Sequence, residues 1–547
     1  MLSADGNVVV TFNGEIYNYK ALRQRLEAQG HTFRSNSDTE VLIELYRSRG
    51  PDFVSDLRGM FAFALWDQGH EHLLLARDPY GIKPLYYTDA DGIVSFASSV
   101  KALMGQTRLS RAADPAGVAG FFVFGSVPEP WTIYEAARAV TAGSTLLVDH
   151  SGVQEPRRYH SIAKVMVEAE IEAGANAGRA MPAADSLREA LLDSVRHHLV
   201  ADVPVGAFLS AGVDSSALVG LMRDAGHSDI QTITLAYDEF TGKQSNEAPI
   251  AEAVARHYGT RHTTRWISAE EFHSDLPKIM IAMDQPSIDG INTWFISKAA
   301  HELGLKVAIS GIGGDELLGG YSNFWILPRL ERALAVPSRI YGLAGFLQKA
   351  VGAARALGLD VHPKHAGLLR YGGSLPGAYL LQRGLFLPME LREVLENPTF
   401  LSQGIGNLKP LEILTQALAE GPRTAFGKVA ALETSFYLRN QLLRDTDWAS
   451  MAHSLEVRTP LVDHVLLRRA APVMLRPAPP NGKVLLAAAP RKPVPDAVVN
   501  RKKTGFGIPT EAWLEKMHSR DAKDQSRDKV FSRHWARLVA DWHHAVP

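Results

Sequence analysis

Val203-Pro204-Val205-Gly206-Ala207-Phe208-Leu209-Ser210-Ala211-Gly212-Val213-Asp214-Ser215-Ser216 is the stretch whose reading decides the fold. Its apolar run before Ser210 reads as a parallel strand buried on both faces. Small residues at 210 to 212 then turn the chain tightly and let backbone approach a ligand closely. Ser215 and Ser216 are placed to cap the helix that continues through Leu221. Exposed N–H groups at a helix start, with the helix dipole, favour a phosphate chain. Asp214 puts a carboxylate beside that anion site, which calls for a bridging cation such as Mg²⁺. The plain alternative is an ordinary strand-to-helix turn, since short motifs carry a false-positive risk.

Working outward, Ile309-Ser310-Gly311-Ile312-Gly313-Gly314-Asp315-Glu316-Leu317-Leu318-Gly319-Gly320-Tyr321 follows a second apolar strand at 305–309. Ligands of open α/β sheets sit beyond the carboxyl ends of the strands, so both loops are expected to face one crevice. Asp214 and Asp315 then become candidates to hold one or two Mg²⁺. Strand patterns at 230–237 and 305–309 alternate with helical patterns at 247–258 and 292–303, the rhythm of a parallel-sheet α/β domain. Beyond about residue 325 the pattern is mainly helical, with breaks at Pro363, Pro376, Pro398 and Pro422. Upstream, residues 7–150 read as short strands with helices at 19–29 and 39–49, a layered α+β domain. Residues 161–183 carry little periodicity and read as a linker or mobile flap, with a short helix at most. The expected fold is α/β, in units 1–160, 161–183 (the linker) and 184–547.

A chain of 547 residues is too long for one core. Its net charge of -1 gives no bulk field for nucleic acid or a membrane surface. No apolar run is long enough to span a bilayer. The start, Met1-Leu2-Ser3-Ala4-Asp5-Gly6, has neither a basic nor an apolar leader region. With no cysteine, disulfides, thiolate metal sites and a cysteine nucleophile are excluded. A cytoplasmic enzyme with small-molecule partners is the default, and homodimerisation stays open.

The first stretch resembles the pyrophosphatase loop of ATP pyrophosphatases, which split ATP between the α- and β-phosphates and pass AMP to a substrate oxygen. Ala211 stands where the usual pattern has the first of two glycines. Residues 310–321 resemble the second signature of glutamine-dependent asparagine synthetases. Residues 447–464 resemble that family's long helical motif, and 482–486 and 501–509 its two later motifs. The resemblance covers nearly the whole chain, in order. It implies that Leu209 and Leu235 lie against adenosine through their backbones and that Ser310 and Gly311 touch ATP. It further implies that Ser210, Gly212, Asp214 and Ser215 hold pyrophosphate and metal. Lys483 would stabilise charge as a mobile cation on a shifting phosphate, and Asp447 would lie near the acyl acceptor. Arg458 reads instead as a buried ion-pair partner of Glu456 or Asp463. The implied reaction is ATP- and Mg²⁺-dependent amidation of aspartate through β-aspartyl-AMP, releasing AMP and pyrophosphate. Three features depart from the family. Ile312 replaces an acidic residue found in some members, Trp448 stands where a basic residue is common, and residues 284–290 look like a subfamily variant.

Asn13-Gly14-Glu15 and Ser37-Asp38-Thr39-Glu40 resemble the glutamine-site motifs of class II glutamine amidotransferases. By that resemblance Asn13 and the Gly14 N–H form the oxyanion hole, while Glu15 and Asp38 grip the α-amino group. The family's nucleophile is an N-terminal cysteine, which these residues lack, together with its Arg-Gly-Pro-Asp segment. The favoured explanation is a sequence that starts late, since residues 7–12 would otherwise form an unprotected edge strand at the terminus. The glutaminase half as given is expected to be inactive, with nitrogen from ammonia here and from glutamine in a full-length form. Two alternatives stand beside this reading. One is an amidotransferase or β-lactam-forming cyclase acting on another carboxylate. The other is a nucleotide-binding relative without turnover.

Overall fold

A computed structural model describes residues 1–175, 182–395, 397–476, 481–502, 507–518 and 531–543. The apolar run before Ser210 forms the strand Val205–Phe208, with Val205, Gly206 and Ala207 buried. It lies at the centre of a five-stranded sheet, in the order Arg261–Ile267, Gln231–Tyr237, Val205–Phe208, Val307–Ile309, Glu456–Arg458. Every pairing in this sheet is parallel. Helices Val213–Asp224, Ala248–Tyr258 and Ile291–Glu302 connect the strands, which is what parallel pairing demands. The expected α/β architecture is therefore present. Its last strand comes from the stretch 447–464, read above as one helical motif. The helix there ends at Met451, and Ser454 turns with φ +53° into Glu456–Arg458.

The amino-terminal part holds two antiparallel sheets. The larger has six strands, and helices Tyr19–Ala28 and Asp38–Arg49 pack their apolar sides with its buried residues. Val8–Ile16 is its edge strand, pairing only with Gly59–Asp67 along its length. Met1 and Ser3 fold back on its outer side through the pairs Met1 N–Val10 O (2.7 Å) and Ser3 N–Val8 O (2.8 Å).

The stretch read as a linker is largely a helix, Ile162–Ala175. Ile162, Val165, Met166, Ala169 and Ala173 are buried along it, a spacing of three and four residues that makes one apolar face. That face packs on helices Ala425–Leu432 and His464–Met474. Residues 176–181 lie outside the described set.

Ala425–Leu432 continues without a break through a π-helical segment, Glu433–Leu443, into the helix Arg444–Met451. π-helical turns recur at functional sites, where they re-aim the side chains after them.

Candidate active site

Leu209 ends its strand with its N–H bonded to the Ile233 carbonyl, and Ser210 opens the loop. The helix starts at Val213 with Gly212 as its N-cap and without a side-chain cap. Ser215 does not cap it, contrary to the sequence reading. Its hydroxyl accepts from Ser210 N (3.1 Å) and pairs with Ser210 Oγ (2.9 Å), closing the loop on itself. Gly212 N donates to Ser210 Oγ at 3.1 Å, and no side-chain oxygen caps the amides of the helix after it.

The second loop presses directly on the first. A Cβ on Gly311 would come within 3.0 Å of Ser215 N, and one on Gly314 within 2.7 Å of Asp214 Cγ. Asp214 and Asp315 meet at Lys483, whose Nζ lies 2.5 Å from Asp214 Oδ1 and 2.7 Å from Asp315 Oδ1. Burial works against the charge on Lys483, and the two carboxylates outweigh it, holding the ammonium above the ordinary lysine range. Two carboxylates around one centre of positive charge are hard oxygen donors that fit Mg²⁺. Among the described residues no set of three or more His, Asp or Glu converges as a metal cage. Phosphate oxygens would have to complete the shell, as is usual for Mg²⁺.

The loops open on a cavity of about 250 Å³. Leu209, Ser210, Gly212, Asp214, Ser215, Ser310, Gly311 and Asp315 all line it. Leu235 does not. Its neighbours Ile233 and Thr234 line this cavity, while Leu235 lines a smaller one with Tyr237, Phe240 and Glu247.

Asp447 is not in the cavity either. It forms an ion pair with Lys83 of the amino-terminal part, at 3.1 Å. Beside Asp214 and Asp315, the carboxylates that enter are Asp445, Asp289 and Glu316, none of them assigned a role from sequence. Burial, and then the charge of Asp289, pushes Asp445 up to about 7. Burial, and then Asp315, pushes Glu316 up to about 7. Ile312 lines the same cavity and offers no side-chain polar atom. Trp448 donates from its indole to Asp445 Oδ1 at 2.8 Å. Lys503 to Phe506, in the last predicted motif, lie outside the described residues.

Arg458 bonds Glu456 at 2.6 Å, as expected of a buried ion-pair partner, and has Glu15 at 3.5 Å. Asp463 is not its partner. It takes Arg58 at 2.6 Å instead.

The four glutamine-motif residues are brought together. Asn13 and Glu15 lie two apart on one strand and so share a face. Gly14 between them has φ +141°, and a Cβ there would meet the Met60 carbonyl at 2.0 Å. Asp38 accepts from Ile16 N at 3.1 Å. Burial raises Glu15 to about 7, against the opposing pull of Arg458. Asn13 lines a second cavity, of about 550 Å³, whose other wall is Arg444, Asp447, Trp448 and Met451. One helix, Arg444–Met451, thus walls both cavities. Asp445 and Thr446 face one, and Arg444, Asp447 and Trp448 face the other.

Known families match both parts. The family described as asparagine synthase matches residues 186–541, and the glutamine amidotransferase domain matches residues 1–160. The chain is 33% identical to Asparagine synthetase [glutamine-hydrolyzing] 1 of Bacillus subtilis, over 92% of this chain and 76% of the relative. It is 30% identical to a putative asparagine synthetase [glutamine-hydrolyzing] of Mycobacterium bovis, over 93% of this chain and 76% of that one. Amidase chyE of Penicillium rubens is 28% identical, over 68% of this chain and 58% of its own length. Loops, sheet and matched domains together make this chain a member of the asparagine synthase family, a ligase of the asparagine-synthetase type carrying an amidotransferase domain.

Proposed function

We propose that this chain joins ammonia nitrogen to a carboxylic acid at the expense of ATP, forming asparagine from aspartate as its relatives' names indicate. The carboxylate oxygen attacks the α-phosphorus of ATP and pyrophosphate leaves. Ammonia then attacks the acyl carbon, AMP leaves with the bonding pair, and the nitrogen loses a proton. The observation that carries this reading is the meeting of Asp214 and Asp315 on Lys483, at the carboxyl ends of two adjacent parallel strands. The helix-start amides after Gly212 would take phosphate oxygens. Mg²⁺ bound by Asp214 and Asp315 would neutralise charge on the phosphates. Lys483 would follow the charge as it moves onto the leaving pyrophosphate. Leu209, Ser210, Ser215, Ser310 and Gly311 would shape the ATP pocket.

Asn13, Gly14, Glu15 and Asp38 would bind glutamine. These 547 residues contain no cysteine, so free ammonia is the nitrogen source to supply in an assay. The test is pyrophosphate release from ATP, Mg²⁺, ammonium and L-aspartate. Release that needs both the acid and ATP supports the reading, with loss of at least 100-fold in Lys483→Met. ATP hydrolysis that ignores every acid sinks it.

A second reading has support from one observation. Ile312 lines the cavity where some family members carry an acidic side chain. That favours a relative amidating or cyclising another carboxylate, and the same assay run with other acids separates the two.

A further inference from the structure

Beyond the pair that meets Lys483, the cavity wall holds further carboxylates. Asp289 and Asp445 line it from segments far apart in the chain, with Asn292, Thr293 and Thr446 beside them. Among the described residues that line the cavity there is no lysine or arginine. Arg444, next in sequence to Asp445, turns away. Its Nη1 donates to the Val127 carbonyl, and the residue lines the other cavity. Lys483 is engaged by Asp214 and Asp315.

Asp445 is 2% exposed. Its two oxygens are met by the Ser287 hydroxyl at 2.6 Å and the Trp448 indole at 2.8 Å, both neutral donors. Asp289 accepts from Gly290 N at 2.9 Å and from the Gln441 side chain, again neutral. Two carboxylates in a partly enclosed cavity with only neutral donors are costly, and a cation relieves that cost. The cost is visible in their titration. Burial raises both, and the charge of Asp289 raises Asp445 further, outweighing the opposing pull of its two hydrogen bonds and of Arg444. Carboxylates so perturbed in a cleft mark a place where a ligand group completes the site.

We propose that Asp289 and Asp445 anchor an ammonium group of the acid being activated, so that the pocket recognises the substrate's amine and not a second carboxylate. The proposal rests on the ligase reading above. Aspartate presents the ammonium, and its α-carboxylate finds no lysine or arginine among the described residues that line the cavity. β-Alanine presents the ammonium alone. Succinate presents two carboxylates and no ammonium.

The full chain is assayed for pyrophosphate release with L-aspartate, its α-amide, β-alanine and succinate. KM for β-alanine and for the α-amide is expected at or below that for aspartate, and kcat/KM for succinate at least 100-fold lower. Asp289→Asn is expected to raise KM for the amine-bearing acids at least tenfold and leave KM for ATP unchanged. It is also expected to narrow the gap to succinate, which a merely structural loss would not do. The acid comparison on the unaltered chain holds even if that variant folds poorly. Succinate equal to aspartate overturns the proposal. So does turnover of aspartate with neither β-alanine nor the α-amide, or an unmoved acid KM in a folded Asp289→Asn. Failure of the ligase reading looks different, because then no acid of the set releases pyrophosphate, and the proposal falls with it.

Discussion

Gly320 has no room for a methyl group. A Cβ there would sit 2.0 Å from Asp315 Oδ1 and 2.3 Å from Lys483 Cε. Gly320→Ala must therefore push Lys483 or Asp315 aside. Displacing one preorganised electrostatic contact typically costs about 10²–10³ in rate. Pyrophosphate release by Gly320→Ala is expected to fall by about that factor, and wild-type turnover in this variant would show that the close approach is not needed. The residues of the two loops were readable in sequence because each loop is one short contiguous segment after an apolar strand. Asp447 misled for a reason equally local. Two positions along an α-helix are separated by about 200°, so Asp445 and Asp447 point to opposite sides of the same helix. Sequence gave no phase for choosing between them, because the π-helical segment before Arg444 resets it. On the strand, Ile233 and Thr234 both line the cavity, and Leu235, on the same face as Ile233 but two residues further along, lines the smaller one.

Helix Ile162–Ala175 illustrates what composition hides in an element. Its alanines and glycine suggested a linker, yet it carries a working side chain outward from its apolar face. Glu170 accepts from Thr424 N at 2.8 Å, Thr424 Oγ1 at 2.7 Å and Arg423 N at 2.9 Å. These are bonds to the start of the helix that runs on toward Asp445. A carboxylate at a helix start is favoured by the dipole as well as by the bonds themselves. Glu170→Ala is expected to destabilise the chain by about 1–2 kcal/mol, read as a lower urea midpoint at unchanged slope. An unmoved midpoint would mean that water replaces the carboxylate without loss. Three of the five strands of the parallel sheet were legible from their apolar runs, and Arg261–Ile267, with its polar and charged residues, and Glu456–Arg458 were not. Glu456–Arg458 has only three residues, and its pattern of glutamate, valine and arginine gives no period to detect.

Across the whole molecule, the two parts are joined by buried charge. Arg58, 6% exposed, reaches from the amino-terminal part to Asp463 at 2.6 Å and Asp193 at 2.9 Å. Removing one member of a buried pair strands the other and costs about 3–5 kcal/mol. Arg58→Ala is expected to show that loss in denaturant unfolding. Such long-range pairing is out of reach of sequence, where the nearby Arg458 reads as a partner of either Glu456 or Asp463. Histidines sit at the same junction. His160 and His464 face each other from the two parts with ring centroids 5.8 Å apart. Burial depresses His160 to about 3 and His464 to about 4. The unfolded chain therefore binds more protons than the folded one between about pH 4 and 6.5. Their contribution to stability is full above about 6.5 and is lost as the pH falls toward 4. Thermal melting is expected to drop through that window, and His464→Asn is expected to flatten the drop. An unchanged slope in that variant would place the acid sensitivity elsewhere. The helix Arg444–Met451 has the widest consequence. Because it is a party wall between two chambers, remodelling either room moves the other's furniture. An engineer who widens the cavity at Asp445 also shifts Trp448 and Asp447, so under the proposed function choice of acid and supply of nitrogen would have to be retuned together.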